Sequence, residues 1–183
     1  TAPGSVKGNA VADKRVGLVT LTGSTEVGIQ SAKVAAENLT HIALELGGND
    51  AFIVLDDADV DLAAKEIVWG RMYNTGQVCC ASKRFIVHNS IKDEFVEKVI
   101  SNIQKLKFGD PSEEDTEIAC LISEKAAKEI EKQVNKTVEQ GGKIVLGGNR
   151  NGSCYEPTVI VDIPSNADVA KDMEIFGPVI SVI

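Results

Sequence analysis

Residues 15–48 read RVGLVTLTGSTEVGIQSAKVAAENLTHIALELGG and carry the strongest signal of the fold class. The apolar, β-branched run from Arg15 to Leu21 predicts a strand that ends at Thr22-Gly23-Ser24. A helix is expected next, over about residues 25–38, because apolar side chains recur there at helical spacing. A second strand over residues 42–46 closes at a pair of glycines. This order of strand, helix and strand is typical of an α/β protein.

The rest of the chain continues the alternation of apolar runs and amphipathic segments, with Gly, Pro, Asp and Asn between them. The acidic run Asp56–Asp61 predicts a helix start, because carboxylates accept hydrogen bonds from the free amides there. A calcium loop is disfavoured, since the run lacks the glycine and the distal glutamate of such a loop. The pattern predicts that the helix capped by this run extends to about residue 71, and that further helices span about residues 92–106 and 123–140. It predicts strands over residues 51–55, 84–88, 143–146, 158–161 and 179–183.

The length and composition exclude several classes of protein. A chain of 183 residues with 43% hydrophobic content supports one globular core, or one domain plus a fragment of another. Its 19 basic and 27 acidic residues give a net charge of −8, which argues against a nucleic acid or an anionic membrane as partner. No apolar run approaches the roughly 18–20 residues that cross a bilayer. Because the chain starts without Met and ends inside a predicted strand, we expect a piece of a longer polypeptide.

The four cysteines are Cys79, Cys80, Cys120 and Cys154. Their spacing matches neither a zinc ribbon nor a Cys-x-x-Cys redox pair, so we expect no metal site. We expect all four to be reduced thiols in a cytoplasmic protein. Cys120 and Cys154 are interpreted as small buried hydrophobic residues.

One loop suggests a reactive thiol. Asn74–Ser82, which contains Cys79 and Cys80, is polar, includes a glycine and is expected to lead toward a short helical turn. Free backbone amides in such a turn favour the thiolate. From these residues alone, a nucleophile and a packing residue are equally open. His41 and His88 are interpreted as structural or surface residues, so no Cys-His pair is assigned.

Glu45 is a second candidate for chemistry. It stands between Leu44 and Leu46 at the end of an apolar strand, where a carboxylate must be hydrogen-bonded or serve as a general base. The alternative, in which Glu45 points to solvent at the strand end, stays open.

Two further segments have the composition of nucleotide-binding loops. Gly23–Gly28 opens a helix, and so offers amide donors and a positive dipole end to a phosphate. Its spacing differs from the usual Gly-x-Gly-x-x-Gly pattern, and it also reads as an ordinary capping box. In Glu174–Pro178 a carboxylate and an aromatic ring lie two residues apart, which suits a ribose hydroxyl and a flat ring, or a plain turn.

Together these segments resemble the successive signatures of the NAD(P)-dependent aldehyde dehydrogenase superfamily. The matching runs, in chain order, are Gly23–Gly28, Leu44–Gly48, Gly76–Cys79 and Glu174–Pro178. The separation of 79 − 45 = 34 residues between Glu45 and Cys79 is also similar to that family's. The resemblance implies that residues 1–45 are the last piece of a dinucleotide-binding domain. Residues 46–183 would form most of a three-layer catalytic domain with a mostly parallel sheet.

The resemblance also implies a role for each site residue. Cys79 would add to an aldehyde to form a thiohemiacetal and then a thioester, with its own backbone amide in the oxyanion hole. Glu45 would activate the water that hydrolyses the thioester. The cofactor would be NAD or NADP, and the residues assigned to it are Gly23, Ser24, Gly28, Leu46, Glu174 and Phe176.

The upstream half of the family pattern has no counterpart in this chain, so we expect the piece alone to be inactive and its cofactor site to be incomplete. The run Gly76–Arg84 is similar to that of succinate-semialdehyde members, which favours a small aldehyde substrate, a semialdehyde among them. We expect the parent protein to be a homo-oligomer. Two other functions remain open: a folded module without catalysis or cofactor, and a cofactor-independent cysteine acyltransferase or thioester hydrolase. A coenzyme-A-acylating enzyme is disfavoured, because Glu45 implies water as the acyl acceptor.

Overall fold

The computed structural model describes residues 10–183. The chain divides into two compact units, Thr1–Gly47 and Gly48–Ile183. No helix within the described residues is long and apolar enough to cross a membrane.

The first unit is the predicted strand, helix and strand. Its elements are β1 (Leu18–Thr22), α1 (Thr25–Glu37) and β2 (His41–Glu45). The two strands pair in parallel, so that their carboxyl ends, Thr22 and Glu45, lie side by side. Ser24 begins the helix, because its side chain accepts a hydrogen bond from the amide of Val27 at 3.3 Å.

The second unit is a five-stranded mixed sheet with helices. Its elements are β3 (Asp50–Val54), α2 (Val60–Met72), β4 (Ser82–Val87), α3 (Lys92–Ile103), α4 (Glu124–Glu139), β5 (Lys143–Leu146), β6 (Arg150–Asn151), β7 (Cys154–Tyr155), β8 (Thr158–Val161) and β9 (Val179–Val182). The strand order is β3-β4-β9-β8-β5, with β5 antiparallel to its neighbour and the other pairs parallel. The predicted α/β class and mostly parallel sheet are therefore confirmed.

Both faces of the central strands are buried, which makes the second unit three layers thick. Along β8, Val159 and Val161 belong to the core on the side of α2 and α3, whereas Ile160 belongs to the core on the side of α4. Strand β9 alternates in the same way, with Ile180 on the first side and Val179 on the second. A continuous apolar run is what a strand covered on both faces requires. The last strand of the chain is therefore central in its sheet.

Two expectations about the cysteines were wrong. Cys120 and Cys154 are joined by a disulfide rather than being separate reduced thiols, and both are half-buried rather than buried. The physical reason is a backbone contact between distant segments, since the amide of Leu121 donates to the carbonyl of Ser153 at 3.0 Å and sets the two cysteines side by side. The short hairpin of β6 and β7, which carries Cys154, was not predicted either, because strands of two residues leave no periodic signal.

Candidate active site

The loop around Cys79 follows α2 through a strained turn. A 3-10 turn spans Tyr73–Gly76, and its residues Asn74 (φ 50°), Thr75 (φ 56°) and Gly76 (φ 73°) all have left-handed backbones. Cys79 and Cys80 then occupy a turn that enters β4 directly. The sequence had suggested that a helical turn follows the thiols. In the structure the helical turn precedes them. Consecutive left-handed residues other than glycine cost free energy and persist only where the surroundings fix them.

Hydrogen bonds from a distant segment fix this strained backbone. The hydroxyl of Thr75 donates to the carbonyl of Ala119 and accepts from its amide, both at 3.2 Å. The side-chain oxygen of Gln77 accepts from the amide of Ile122 at 2.9 Å. Inside the loop, the side-chain amide of Asn74 donates to the Gln77 carbonyl at 3.0 Å. The loop is thus held in one shape from outside and from within.

The two thiols that this loop carries are free and exposed. Cys79 and Cys80 form no disulfide, and both side chains are open to solvent. Among residues 10–183 the amide of Cys79 is assigned no hydrogen-bond acceptor. A thiol beside an unused amide donor is what a nucleophile with its own oxyanion donor needs.

The Glu174–Pro178 segment lies directly against the thiol loop. A Cβ atom added to Gly76 would lie 2.2 Å from the carbonyl oxygen of Gly177, so the two backbones touch at a pair of glycines. On the far side of Gly177, an added Cβ would lie 2.2 Å from the Cδ1 atom of Ile130 on α4. The sequence motifs Gly76–Cys79 and Glu174–Pro178 are therefore brought together by close packing that only glycine permits.

Arg71 ties the same two segments together from inside the protein. Its guanidinium is 1% exposed and donates to three carbonyls: Val179 at 2.8 Å, Gly76 at 3.3 Å and Ile175 at 2.5 Å. Burial lowers the pKa of Arg71 to about 10, and the charge of Glu174 partly opposes this shift. The planar fork of an arginine suits three acceptors on converging backbones.

Lys83 makes a second buried link. This residue on β4 is 1% exposed, and its Nζ donates to the carbonyl of Cys79 at 2.7 Å and to that of Ala81 at 3.1 Å. The same Nζ lies 3.2 Å from Oε1 of Glu174, which is buried and makes no well-aligned hydrogen bond, so this contact is an ion pair. The ammonium therefore joins the turn that carries the thiols to the side chain of Glu174.

The candidate cofactor residues of this segment are open on one side. The side chain of Glu174 is 26% exposed although Oε1 is buried, and Phe176 is 43% exposed between buried neighbours. The amide side chain of Gln133 on α4 donates to the Glu174 carbonyl at 3.0 Å and fixes its backbone. A carboxylate and an aromatic ring are thus presented to solvent from a rigid turn.

The remaining candidates lie together in the first unit, at the carboxyl ends of β1 and β2. The amide of Gly23 donates to the carbonyl of Glu45 at 3.0 Å, and Ser24 caps α1. A Cβ on Gly28 would lie 2.7 Å from Leu46, so a glycine lets helix and strand approach. Glu45 is exposed at the strand end. Within the described residues the structure therefore agrees with the alternative in which Glu45 points to solvent at the strand end.

A cavity of about 440 Å³ opens beside the thiol turn. Its wall is largely apolar and aromatic and consists of Phe52, Glu66, Ile67, Trp69, Gly70, Arg71, Tyr73, Val78, Cys80, Ala81, Ser82 and Phe85. The rings of Trp69 and Tyr73 lie 5.9 Å apart, one helical turn from each other. Their rings offer apolar surface in the same wall as Cys80, whereas Cys79 is not part of that wall.

Sequence reasoning missed Arg71 and Lys83. Both look like ordinary surface cations in a chain rich in charge, and each is linked to a segment far along the chain: Arg71 to Val179, 108 residues away, and Lys83 to Glu174, 91 residues away (174 − 83). One signal did exist: Lys83, Phe85 and Val87 alternate along a strand, which puts the lysine on the face of two apolar side chains.

The chain is similar to known proteins along its whole length. The family model described as the aldehyde dehydrogenase family matches residues 1–183. A succinate-semialdehyde dehydrogenase [NADP(+)] of Mycobacterium leprae is 43% identical over 173 residues, which cover 93% of this chain and 38% of that protein. A lactaldehyde dehydrogenase of Methanococcus aeolicus is 37% identical, with 100% of this chain and 39% of that protein covered.

A solved structure of a relative matches the fold as well. Betaine aldehyde dehydrogenase from Staphylococcus aureus, in complex with NAD+, superimposes with a TM-score of 0.92 at 38% identity, covering 97% of this chain and 36% of that one. The chain thus spans about two fifths of the length of its curated relatives, 38% and 39% for the two compared. With a family match along its whole length, the chain belongs to the aldehyde dehydrogenase family.

Proposed function

We propose that the protein that carries this chain oxidises an aldehyde to a carboxylic acid with NAD or NADP, and that Cys79 is its nucleophile. The observation that carries the proposal is the close packing of two segments. The exposed, free thiol turn and the Glu174–Phe176 segment are held against each other at Gly76 and Gly177. A nucleophile and a nucleotide-binding turn that share one rigid framework suit a reaction between a bound aldehyde and a bound cofactor.

Cys79 begins the reaction in this proposal. Its Sγ attacks the carbonyl carbon of the aldehyde, and the negative charge that develops on the oxygen is stabilised by the amide of Cys79 until the proton released by the thiol reaches that oxygen and completes the thiohemiacetal. That amide has no other acceptor among residues 10–183, so it is available without rearrangement. The strained turn contributes by fixing where the thiol lies relative to its own amide.

The residues of this chain fit a nicotinamide cofactor. Oε1 of Glu174 is buried in its ion pair with Lys83, but the side chain is otherwise open, which suits a ribose hydroxyl, and the exposed ring of Phe176 suits a flat partner. When bound, the nicotinamide supplies the hydride acceptor that converts the thiohemiacetal to a thioester. We assign Gly23, Ser24, Gly28 and Leu46 to the same cofactor, which makes residues 1–45 part of a dinucleotide-binding domain and residues 46–183 part of the catalytic domain.

Glu45 completes the cycle in this proposal. Its carboxylate takes a proton from water, the water oxygen attacks the thioester carbonyl, and the C–S bond breaks to release the carboxylic acid and return the thiol. This assignment rests on the resemblance of the run Leu44–Gly48 to the family signature. An exposed carboxylate at a strand end is accessible to water, which such a base requires.

The substrate in this proposal is a small aldehyde, a semialdehyde among them. The support is the 43% identity to a succinate-semialdehyde dehydrogenase and the apolar cavity beside the thiol turn. Arg71 is the single basic residue in the wall of that cavity, and three of its N–H groups are already bound to carbonyls. The carboxylate of a semialdehyde substrate would therefore need a partner from another part of the protein.

The test compares the two neighbouring cysteines. In the whole enzyme, Cys79→Ala should lower kcat for aldehyde oxidation by about 10⁴-fold, because the covalent route is lost. Cys80→Ala is the matched control and should retain activity within about tenfold. The measurement is NADH or NADPH formation with a panel of aldehydes that includes a semialdehyde. Undiminished turnover of Cys79→Ala would refute the nucleophile assignment.

Two further assays separate this function from its alternatives. Calorimetric titration of the whole protein with NAD+ and NADP+ should show binding of at least one of them, whereas a folded module without a cofactor would bind neither. A thioester hydrolase would be favoured by a different result: the protein hydrolyses a p-nitrophenyl ester, this activity requires Cys79, and no aldehyde is oxidised. The 183-residue chain alone is expected to show no dehydrogenase activity.

A further inference from the structure

Lys83 occupies a position where a lysine is costly. It is 1% exposed, on the same face of β4 as the buried side chains of Phe85 and Val87. A charged group taken from water into such surroundings must be paired and hydrogen-bonded, or the fold loses stability. An apolar residue could be buried there without the desolvation cost of an ammonium, so the charge requires an explanation other than packing.

The ammonium is matched to three oxygens. An ammonium has three N–H donors, and Nζ of Lys83 has three oxygens within reach: the carbonyls of Cys79 at 2.7 Å and Ala81 at 3.1 Å, and Oε1 of Glu174 at 3.2 Å. Two of these oxygens belong to the turn of the proposed nucleophile. The third belongs to the proposed ribose-binding carboxylate, 91 residues later in the chain (174 − 83).

Lys83 is not needed to bring the two segments together. The backbones already meet at Gly76 and Gly177, and Arg71 donates to carbonyls of both segments. What Lys83 adds is a link to the side chain of Glu174, which Arg71 does not contact through a hydrogen bond. Its specific contribution is therefore the orientation of that carboxylate relative to the Cys79 turn.

We propose that Lys83 is a positioning residue that couples the carboxylate of Glu174 to the turn of Cys79, so that each site responds to the state of the other. This proposal rests on the proposed function, in which Glu174 binds the cofactor and Cys79 reacts with the aldehyde. The coupling makes these two events interdependent. Thermodynamic coupling is reciprocal, so a change at either end must be felt at the other.

The electrostatics give the coupling a direction. With both charges present, Glu174 neutralises part of the field that the ammonium exerts on the Cys79 turn. Glu174→Gln leaves the positive charge of Lys83 uncompensated beside the Cys79 turn, whereas Lys83→Met removes that charge, and a nearby uncompensated cation increases the rate at which a cysteine reacts with an electrophile. We therefore expect Cys79 to react faster in the first variant and slower in the second.

The first experiment is a double-mutant cycle that needs neither cofactor nor aldehyde. The whole protein is prepared in a Cys80→Ser background, and the rate of iodoacetamide alkylation of Cys79 is followed by peptide mass spectrometry. Glu174→Gln should raise the rate at least about threefold when Lys83 is present and by less than about 1.5-fold in the Lys83→Met background. Equal effects in the two backgrounds would overturn the coupling.

A matched control and a second route guard against loss of folding. The exposed pair Lys92 and Asp162 lies elsewhere in the second unit, with 2.8 Å between its charged atoms, and Lys92→Met and Asp162→Asn should leave the alkylation rate unchanged. If circular dichroism shows that Lys83→Met is unfolded, the alkylation rate of the Glu174→Gln variant alone tests the proposal. This residue is partly exposed, and an alkylation rate equal to that of the parent protein would refute the proposal.

The second experiment asks for the kinetic signature of positioning. In the whole enzyme, Lys83→Met should raise the KM for NAD or NADP about tenfold, because the carboxylate of Glu174 is no longer oriented, and Glu174→Gln should remove any further effect of Lys83→Met. A purely structural role would lower kcat through loss of active protein at an unchanged cofactor KM, and that result would count against the proposal. If the parent protein oxidises no aldehyde, the proposed function fails while the alkylation cycle still decides the coupling.

Discussion

The two units of this chain are stabilised in different ways. Among residues 10–47, only Gly28 and Ala35 are buried, and neither strand of the first unit contains a buried residue. The second unit has two hydrophobic cores, one on each face of its sheet, and its thiol loop is tied down by buried cations. Local signals such as caps and strand pairing define the first unit, whereas non-local packing defines the second. The difference teaches that rigidity in this chain is concentrated where the proposed nucleophile lies.

Hydrogen exchange should reveal this contrast most strongly. Amides open with free energies that range from near zero up to the global stability, and the slowest belong to buried central strands. We expect amides of β8 and β9 to exchange at least about a thousandfold more slowly than those of β1, which corresponds to about 4 kcal/mol. The measurement is exchange mass spectrometry on the 183-residue chain. Equal protection in β1 and β9 would break the comparison.

Glycine substitutions probe the same contrast at single positions. Gly76 has φ 73°, and an added Cβ would meet the backbone of Gly177 at 2.2 Å, so Gly76→Ala should lower the free energy of unfolding of the second unit by about 4 kcal/mol. Gly23→Ala is the matched change in the first unit. Its nearest contact would be Leu21 at 3.9 Å, and its cost should stay within about 0.5 kcal/mol. Urea unfolding of both variants measures the difference, and equal costs would contradict it.

The parts of the fold that the sequence could predict are those with local signals. The strand, helix and strand of residues 18–45 follow from periodicity, from Ser24 as a cap and from glycine at the turn. The segments that meet at the thiol were also found, because each has its own motif. Their mutual contact was not, since Arg71 and Lys83 bind acceptors far along the chain. The disulfide was missed for the same reason, because nothing local pairs Cys120 with Cys154.

Alkaline pH should weaken the second unit through Tyr155. Burial raises the pKa of Tyr155 to about 12 from an ordinary value of 10.0, and the charge of Glu131 adds to the shift. Because the folded pKa is the higher one, the stabilisation is complete below pH 10 and is lost as pH rises through 12, as the unfolded chain releases its proton first. A shift of this size corresponds to about 2–3 kcal/mol.

The measurement for Tyr155 is the free energy of unfolding at pH 9 and pH 11.5. The parent chain should lose stability across this interval, and Tyr155→Phe should lose less of it. Tyr73, which is 63% exposed, supplies the control, since Tyr73→Phe should leave the pH dependence as it was. A parent chain and a Tyr155→Phe variant with identical pH dependence would show that this hydroxyl is not the responsible group.

The smallest expected loss of stability comes from removing a helix cap, and the two units should respond to that loss differently. Ser24 caps α1 and Ser123 caps α4, each by accepting a hydrogen bond from a backbone amide, at 3.3 Å and 3.2 Å respectively. Either serine changed to alanine should cost about 1 kcal/mol, because one amide of the first helical turn loses its acceptor. Ser24→Ala should speed exchange in α1 alone, since residues 10–47 have only two buried residues and cannot transmit the loss, whereas Ser123→Ala should speed exchange throughout the core of the second unit. If Ser24→Ala also accelerated exchange in β9, the two units would unfold together, and the distinction between local and non-local stabilisation would fail.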